Sequence, residues 1–280
     1  MQNIFIRNKD ELDQKIKKFV DGGAEKLHLI ADFDRTLTPA FIGGKRATTS
    51  FAQAREDGHL GEEYTKKAQA LFDHYYPIEI SSGISDDERS TAMQEWYENH
   101  LSLLIEYGIT RDIMDDIVVK GKIILRSGGV DFFRLLNQKQ IPVLIFSAGL
   151  WDIIKSYFMK NSLLTSNVHL ISNFFNFSND GRAIDYIKPA IHTSNKNEIE
   201  VSHTPYFREL GERKNVLLLG NDIGDLGMSE GFDFDEIIRI GFLNKEEKQN
   251  EEEFKKAYDV VIEDDGDMDY VNELLEKILG

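Results

Sequence analysis

Apolar positions fall into two textures along this chain. Short unbroken runs, LHLIA at 27–31, PVLIF at 142–146, VHLI at 168–171 and NVLLLG at 215–220, read as strands buried on both faces. Further strands are expected at 236–240 and 259–262. Amphipathic spacing predicts helices over 10–20, 129–139, 150–159 and 268–279. A hairpin-like stretch is expected over 174–192, turning at Asn179-Asp180-Gly181. Strands alternating with helices predict an α/β fold, a Rossmann-like, mostly parallel sheet covered on both faces. From 45 to 122 the strand-like runs give way to long helical segments, 62–76 and 86–107. The expected organisation is therefore an α/β core from 1–44 and 123–280, with a helical block, 45–122, inserted after the first core strand.

Composition narrows the function classes. The 280 residues carry 49 acidic and 33 basic side chains, a formal charge of −16, which disfavours polymeric nucleic acid and anionic membranes as general partners. A local basic pocket for a small anion is compatible with that balance. With no cysteine, thiol catalysis and Cys-ligated zinc are excluded. No apolar run reaches the length of a membrane span, and the first residues lack a signal-peptide core, so a cytoplasmic protein is expected. The run 245–256 reads as a solvated helix face. Nothing in the sequence sets an oligomeric state.

Ligands of open parallel sheets bind beyond the carboxyl ends of the strands. There this chain places Asp32 and Asp34, then Ser147-Ala148-Gly149, then Gly220, Asn221, Asp222 and Asp225. Two carboxylates spaced by two share one face of an extended chain. They repel unless a cation lies between them or one is protonated. A hard cation, Mg²⁺, suits such all-oxygen ligands. The bland alternative makes Asp34 a helix cap and Asp32 a solvated side chain. Ser147 fits either a phosphate-binding turn or the N-cap of the next helix. A lysine is needed beside a bound phosphate, and Lys188 and Lys196 are equal candidates on spacing alone.

These residues carry a family resemblance. The segment 32–38, DFDRTLT, resembles motif I (DxDxT) of the haloacid dehalogenase superfamily of phosphotransferases, 146–149 resembles motif II, and 220–225 resembles motif IV. The blocks HYYPIEI (74–80), MQEWY (93–97), IPVLIFSAG (141–149), LISNFFNF (170–177), LLLGNDIGDLGMSEG (217–231) and IGFLN (240–244) are similar, in order, to the cytosolic 5′-nucleotidase III family, the pyrimidine 5′-nucleotidases. The resemblance implies a haloacid dehalogenase-like core, the block 45–122 as a cap, and a Mg²⁺-dependent hydrolase of nucleoside 5′-monophosphates, pyrimidine or 7-methylguanosine. It implies Asp32 as the nucleophile that becomes an aspartyl phosphate, and Asp34 as the acid and base whose carbonyl also binds metal. An acid at 34 favours phosphoester hydrolysis over dehalogenation. Ser147, Ala148 and Gly149 would hold the phosphate, Lys196 within Asn195-Lys196-Asn197 would be the motif III lysine, and Glu95 would contact the nucleotide. Trp96 and Tyr97 would stack on a base or pack in the cap. The metal set would be Asp32, Asp34, Asn221 and Asp225, the last through a water, with Asp222 as a substitute. The family pattern is close to LLGDSxGDL, so Asn221 replaces a carboxylate with a neutral amide, which should weaken metal binding. Two other readings stand beside this one: a phosphatase for another small phosphoester, such as a sugar phosphate or phosphoserine, and a non-catalytic nucleotide-binding protein.

Overall fold

In the computed structural model, which describes residues 3–56, 58–81, 83–120, 123–199, 201–244 and 251–280, the apolar runs at 27–31, 142–146 and 215–220 become the middle of one sheet and the run at 168–171 its edge. The chain begins with β1 (Ile4–Ile6), α1 (Lys9–Lys26) and β2 (Leu27–Ala31). A small hairpin, β3 (Phe41–Ile42) and β4 (Lys45–Arg46), leads into α2 (Gln53–Glu56), α3 (Gly61–Glu79), α4 (Asp86–Glu106) and α5 (Arg111–Val119). The alternation then resumes with α6 (Gly129–Gln138), β5 (Val143–Leu150), α7 (Trp151–Lys160) and β6 (Val168–Asn173). A second hairpin, β7 (Phe175–Phe177) and β8 (Ala183–Tyr186), is followed by α8 (Pro205–Leu210), β9 (Asn215–Gly220) and β10 (Glu236–Leu243). The chain closes with α9 (Glu251–Ala257), β11 (Val260–Glu263) and α10 (Asp269–Leu279).

Seven strands pair in the order β1-β11-β10-β9-β2-β5-β6. All neighbours are parallel except β1 against β11. Strand alternation sorts the side chains into two cores. In β2, Leu27, Leu29 and Ala31 join one apolar cluster and Ile30 the other; in β9, Leu217 and Leu219 oppose Val216 and Leu218. The long helices follow local rules as well. Ser85 and Glu88 form a reciprocal capping box at the start of α4, which the string Ser85-Asp86-Asp87-Glu88 encodes.

Several elements depart from the expected ones. β5 runs on to Leu150 through a register irregularity after Phe146, so α7 starts at Trp151 with no side-chain cap, and Ser147 is a strand residue rather than an N-cap. The last strand starts at Val260, because the Asp259 carboxylate is turned inward to Lys15 at 3.0 Å and Arg7 at 2.7 Å. β1, β3, β4 and α8 are too short for periodicity to reveal. Residues 245–250 of the charged run, and the expected core–block boundary at 121–122, lie outside the described residues. The rest of that run forms α9, whose Phe254 is buried, so it is an amphipathic packing helix. Among the described residues, no helix is long and apolar enough to cross a membrane.

Candidate active site

The carboxyl ends of β2, β5 and β9, adjacent in the sheet, form the floor of a cleft of about 360 Å³. Asp32 keeps the sheet pairing one residue past β2, its N–H donating to the Leu219 carbonyl at 3.0 Å. The chain then turns sharply, with Arg35 at φ 65°. That conformation is costly for a residue with a Cβ and is held from outside. Buried Arg126 donates to the Arg35 carbonyl at 2.5 Å and the Thr36 carbonyl at 2.7 Å, and pairs with Asp265 at 2.7 Å.

Lys196 reaches this floor from the loop before α8. Its ammonium donates to Asp32 Oδ1 at 2.6 Å and Asp225 Oδ1 at 2.7 Å, and all three side chains are buried. Burial opposes the charge on Lys196, but the Asp225 and Asp32 carboxylates outweigh it and hold the lysine protonated well above its ordinary range. Burial pushes the Asp32 carboxyl up, against the pull of Lys196, and Asp225 and Asp34 push it further. Lys188, the other candidate, is exposed on β8's far side of the loop with its ammonium 5.5 Å over the Tyr186 ring. The geometry chooses Lys196.

Ser147 is buried at the cleft floor, its hydroxyl accepting the Gly149 N–H at 3.0 Å. The carbonyls of this turn are tied down behind it. Asn173 donates to the Ala148 carbonyl at 2.8 Å, and the Ser172 hydroxyl donates to the Gly149 carbonyl at 2.6 Å. Asp225, placed among the metal ligands by resemblance, has both oxygens engaged: one on Lys196, the other accepting the N–H groups of Asn221 at 2.9 Å and Asp222 at 3.0 Å. It braces the lysine and the loop. Asp222 lines the cleft and accepts the Gly224 N–H at 2.8 Å.

The donor set fits a hard cation. The Asn221 amide terminus lies 3.0 Å from the Asp34 carbonyl, 3.2 Å from Asp32 Oδ2 and 3.0 Å from Thr36 Oγ1. Adjacent oxygens around an octahedral Mg²⁺, at bonds of about 2.1 Å, stand roughly 3.0 Å apart. With its oxygen turned inward, Asn221 completes a three-oxygen face with Asp32 Oδ2 and the Asp34 carbonyl. With its nitrogen turned inward, it donates to the same two atoms instead. Among the described residues, no group of three His, Cys, Asp or Glu forms a metal-ligand cluster, so the fit depends on the carbonyl and the amide.

The opposite wall comes from residues 46–100. Phe51, Phe72, Tyr76, Trp96 and Tyr97 line it, with Arg46 stacked 5.0 Å over Tyr76 and Arg55 4.7 Å over Phe72. The buried Trp96 Nε1 has no hydrogen-bond partner. Glu79, at the end of α3, faces the same space among Arg35, Arg46 and Arg89, and burial pushes its carboxyl up to about 7. A chain of charge −16 thus gathers Lys196 and four arginines around one cleft.

Known proteins are similar to this chain over nearly its whole length. A family model described as pyrimidine 5′-nucleotidase (UMPH-1) matches residues 35–279. The 7-methylguanosine phosphate-specific 5′-nucleotidase A of Xenopus laevis is 36% identical over 274 residues, 98% of this chain and 94% of the relative. The Homo sapiens 7-methylguanosine phosphate-specific 5′-nucleotidase is 34% identical over 277 residues, 99% of this chain and 92% of the relative. The crystal structure of cytosolic 5′-nucleotidase IIIB bound to cytidine matches with a TM-score of 0.90 at 30% identity, covering 99% of this chain and 94% of that one. The chain belongs to the pyrimidine 5′-nucleotidase family. It is a 5′-nucleotidase on a haloacid dehalogenase core, which decides against the non-catalytic binding protein.

Within this nucleotidase, Asp32, Asp34, Ser147, Ala148, Gly149, Lys196, Asn221, Asp222 and Asp225 all line or brace the floor. Glu95 does not join them. It is exposed on the outer side of α4, accepting the Tyr75 hydroxyl at 3.3 Å. The cleft carboxylate of that wall is Glu79, within the same HYYPIEI block, and its signal was an acid following an aromatic pair and a proline. Trp96 and Tyr97 pack in this wall as one reading expected, each nearly buried, Trp96 stacking on Tyr75 and Tyr97 on Phe51, and both are among the residues lining the cleft. Ser50 and Arg126 carried no motif, and only the tertiary structure reveals their contacts with the Asp32–Thr36 turn.

Proposed function

We propose that this nucleotidase hydrolyses nucleoside 5′-monophosphates of the pyrimidine or 7-methylguanosine type through an aspartyl phosphate on Asp32. The observation that carries the reading is the meeting of Asp32, Asp34, Ser147 and Lys196 at the floor of an aromatic, arginine-lined cleft. The phosphate is received by the Ser147–Gly149 turn and the Lys196 ammonium, whose fixed charges meet negative charge without reorganising. An oxygen of Asp32 attacks phosphorus and the bond to the nucleoside O5′ breaks, with Asp34 giving its proton to O5′. Water then attacks phosphorus, Asp34 takes its proton, and the Asp32 carboxylate is restored as inorganic phosphate leaves. Mg²⁺, held by Asp32, the Asp34 carbonyl and Asn221, would supply charge neutralisation and orientation for the phosphate.

Residues 45–122 are the proposed cap. Its aromatic rings offer a stacking surface, and the Glu79 carboxylate suits N–H donors on the edge of a base. Cytosine and 7-methylguanine both present such donors, and the relatives named for 7-methylguanosine phosphate and the structure holding cytidine support these two classes. The relatives named cytosolic support a cytoplasmic site of action. Phosphate release should be measured from UMP, CMP, AMP, GMP, 7-methyl-GMP, a hexose phosphate and phosphoserine, with Mg²⁺ and with EDTA. Metal-dependent release biased to the pyrimidine or 7-methylguanine nucleotides is expected. A preference for hexose phosphate or phosphoserine would overturn the substrate assignment.

A further inference from the structure

Asp34 is held from outside the sheet. Ser50, which follows the β3–β4 hairpin, donates its N–H to Asp34 Oδ1 at 2.7 Å and its hydroxyl to Asp34 Oδ2 at 2.5 Å. One residue thus engages both oxygens of the carboxyl. Ser50 is fully buried, and the turn that carries it is fixed on both sides. The N–H groups of Ala52 and Gln53 donate to the Thr49 carbonyl at 3.0 and 3.1 Å, and the Gln53 amide donates to the Thr48 carbonyl at 2.9 Å. Gly149 records the same closeness from the phosphate turn: a Cβ there would overlap Ser50 Oγ and stand 3.1 Å from Asp34 Oδ2. Ser50 is therefore wedged between the proton carrier and the phosphate turn.

We propose that Ser50 is the positioning residue for proton transfer at Asp34, setting the plane of its carboxyl in both halves of the reaction. The chemistry of the two donors differs. A backbone N–H can only donate, so Oδ1 stays an acceptor throughout. A hydroxyl donates or accepts, so Oδ2 can gain or lose a proton without losing its partner. The two-step reaction asks Asp34 for both forms: protonated as the bond from phosphorus to O5′ breaks and the proton passes to O5′, ionised as it accepts a proton from the attacking water. Because Ser50 belongs to residues 45–122, the carboxyl is held in this way only while that segment is docked on the core. This role rests on the phosphatase reading of the site given above.

The test compares two leaving groups on one nucleoside: the 5′-phosphate, and its 5′-thio analogue, whose thiolate departs without a proton. Ser50→Ala is expected to lower kcat/KM for the oxygen ester by about 10- to 100-fold and for the thio ester by less than about threefold. Ser50→Gly, which also removes the hydroxyl while keeping the backbone N–H, should move in the same direction and serves if the alanine variant does not fold. Equal losses on both esters would make Ser50 a merely structural residue, and unchanged oxygen-ester turnover would deny it any role. Either result overturns the proposal while the wild-type activity leaves the nucleotidase reading intact. A wild-type protein that releases no phosphate from the oxygen ester removes that reading, and this one with it.

Discussion

The floor and the wall of the cleft are built on different principles. On the floor, the central groups are engaged: Lys196 between Asp32 and Asp225, Asp225 on two backbone N–H groups, and the Ser147 turn pinned by Ser172 and Asn173. Its partners are largely backbone atoms at the ends of β2, β5 and β9, so the sheet fixes their positions. On the wall, α3 and α4 contribute rings and Arg89, with Arg46 and Arg55 from the segments before them, all outside the seven-stranded sheet, and a buried tryptophan N–H is left without a partner. A floor so constrained can run one chemistry on any phosphoester placed against it. In the proposed reading, the wall, free to differ in side chain without disturbing that chemistry, is where the substrate is chosen.

The comparison can be broken or sharpened by substitution. Asp32→Asn should abolish phosphate release from every ester, by at least about 10⁴-fold, with thermal unfolding showing an intact fold. Residual turnover above that level would remove Asp32 from the chemistry. Lys196→Met leaves Asp32 and Asp225 facing each other without a cation. It should cost about 10²- to 10³-fold in kcat and on the order of 3 kcal/mol of stability, read by calorimetric unfolding. Asn221→Asp adds a charge to the three-oxygen face and should tighten Mg²⁺ binding without nucleotide about tenfold by titration calorimetry. Unchanged affinity would take Asn221 out of the metal site.

The wall variants should act on ranking rather than on chemistry. Glu79 is pushed up to about 7, so it is neutral below that pH and a carboxylate above it. If its carboxylate accepts the N–H groups of the base, KM for the preferred nucleotide falls as pH rises through 7. Glu79→Gln should raise KM about fivefold at pH 8 and flatten that dependence, leaving kcat on a hexose phosphate unchanged. A loss on hexose phosphate as large as on nucleotide would erase the distinction between floor and wall. Glu95→Gln, on the outer side of α4, should change neither constant by more than about twofold.

The legible parts of the molecule are those written in local spacing. Apolar runs exposed β2, β5 and β9, because a strand covered on both faces has no polar alternation to disguise it. The acids and glycines just past those runs marked the floor, since parallel strands bring all their carboxyl ends to one edge. Local spacing could not place Lys196 against Asp32, a contact that spans 164 residues of sequence, nor exclude Lys188 eight residues earlier. The family resemblance set Glu95 on the cleft and missed Glu79, because which face of α3 or α4 meets the core depends on packing between them, and both faces carry aromatics and acids. Ser50 and Arg126 were invisible for the same reason: a lone serine and a lone arginine acquire meaning only from the turn they hold. The sequence by itself determined the sheet and the residues gathered at its carboxyl edge, because strand period and strand-end chemistry are properties of neighbouring residues, and its family resemblance supplied the reaction class. The tertiary structure alone decided how Lys196 meets Asp32, how Asp34 is held and what lines the opposite wall, because those contacts join segments that only folding brings together.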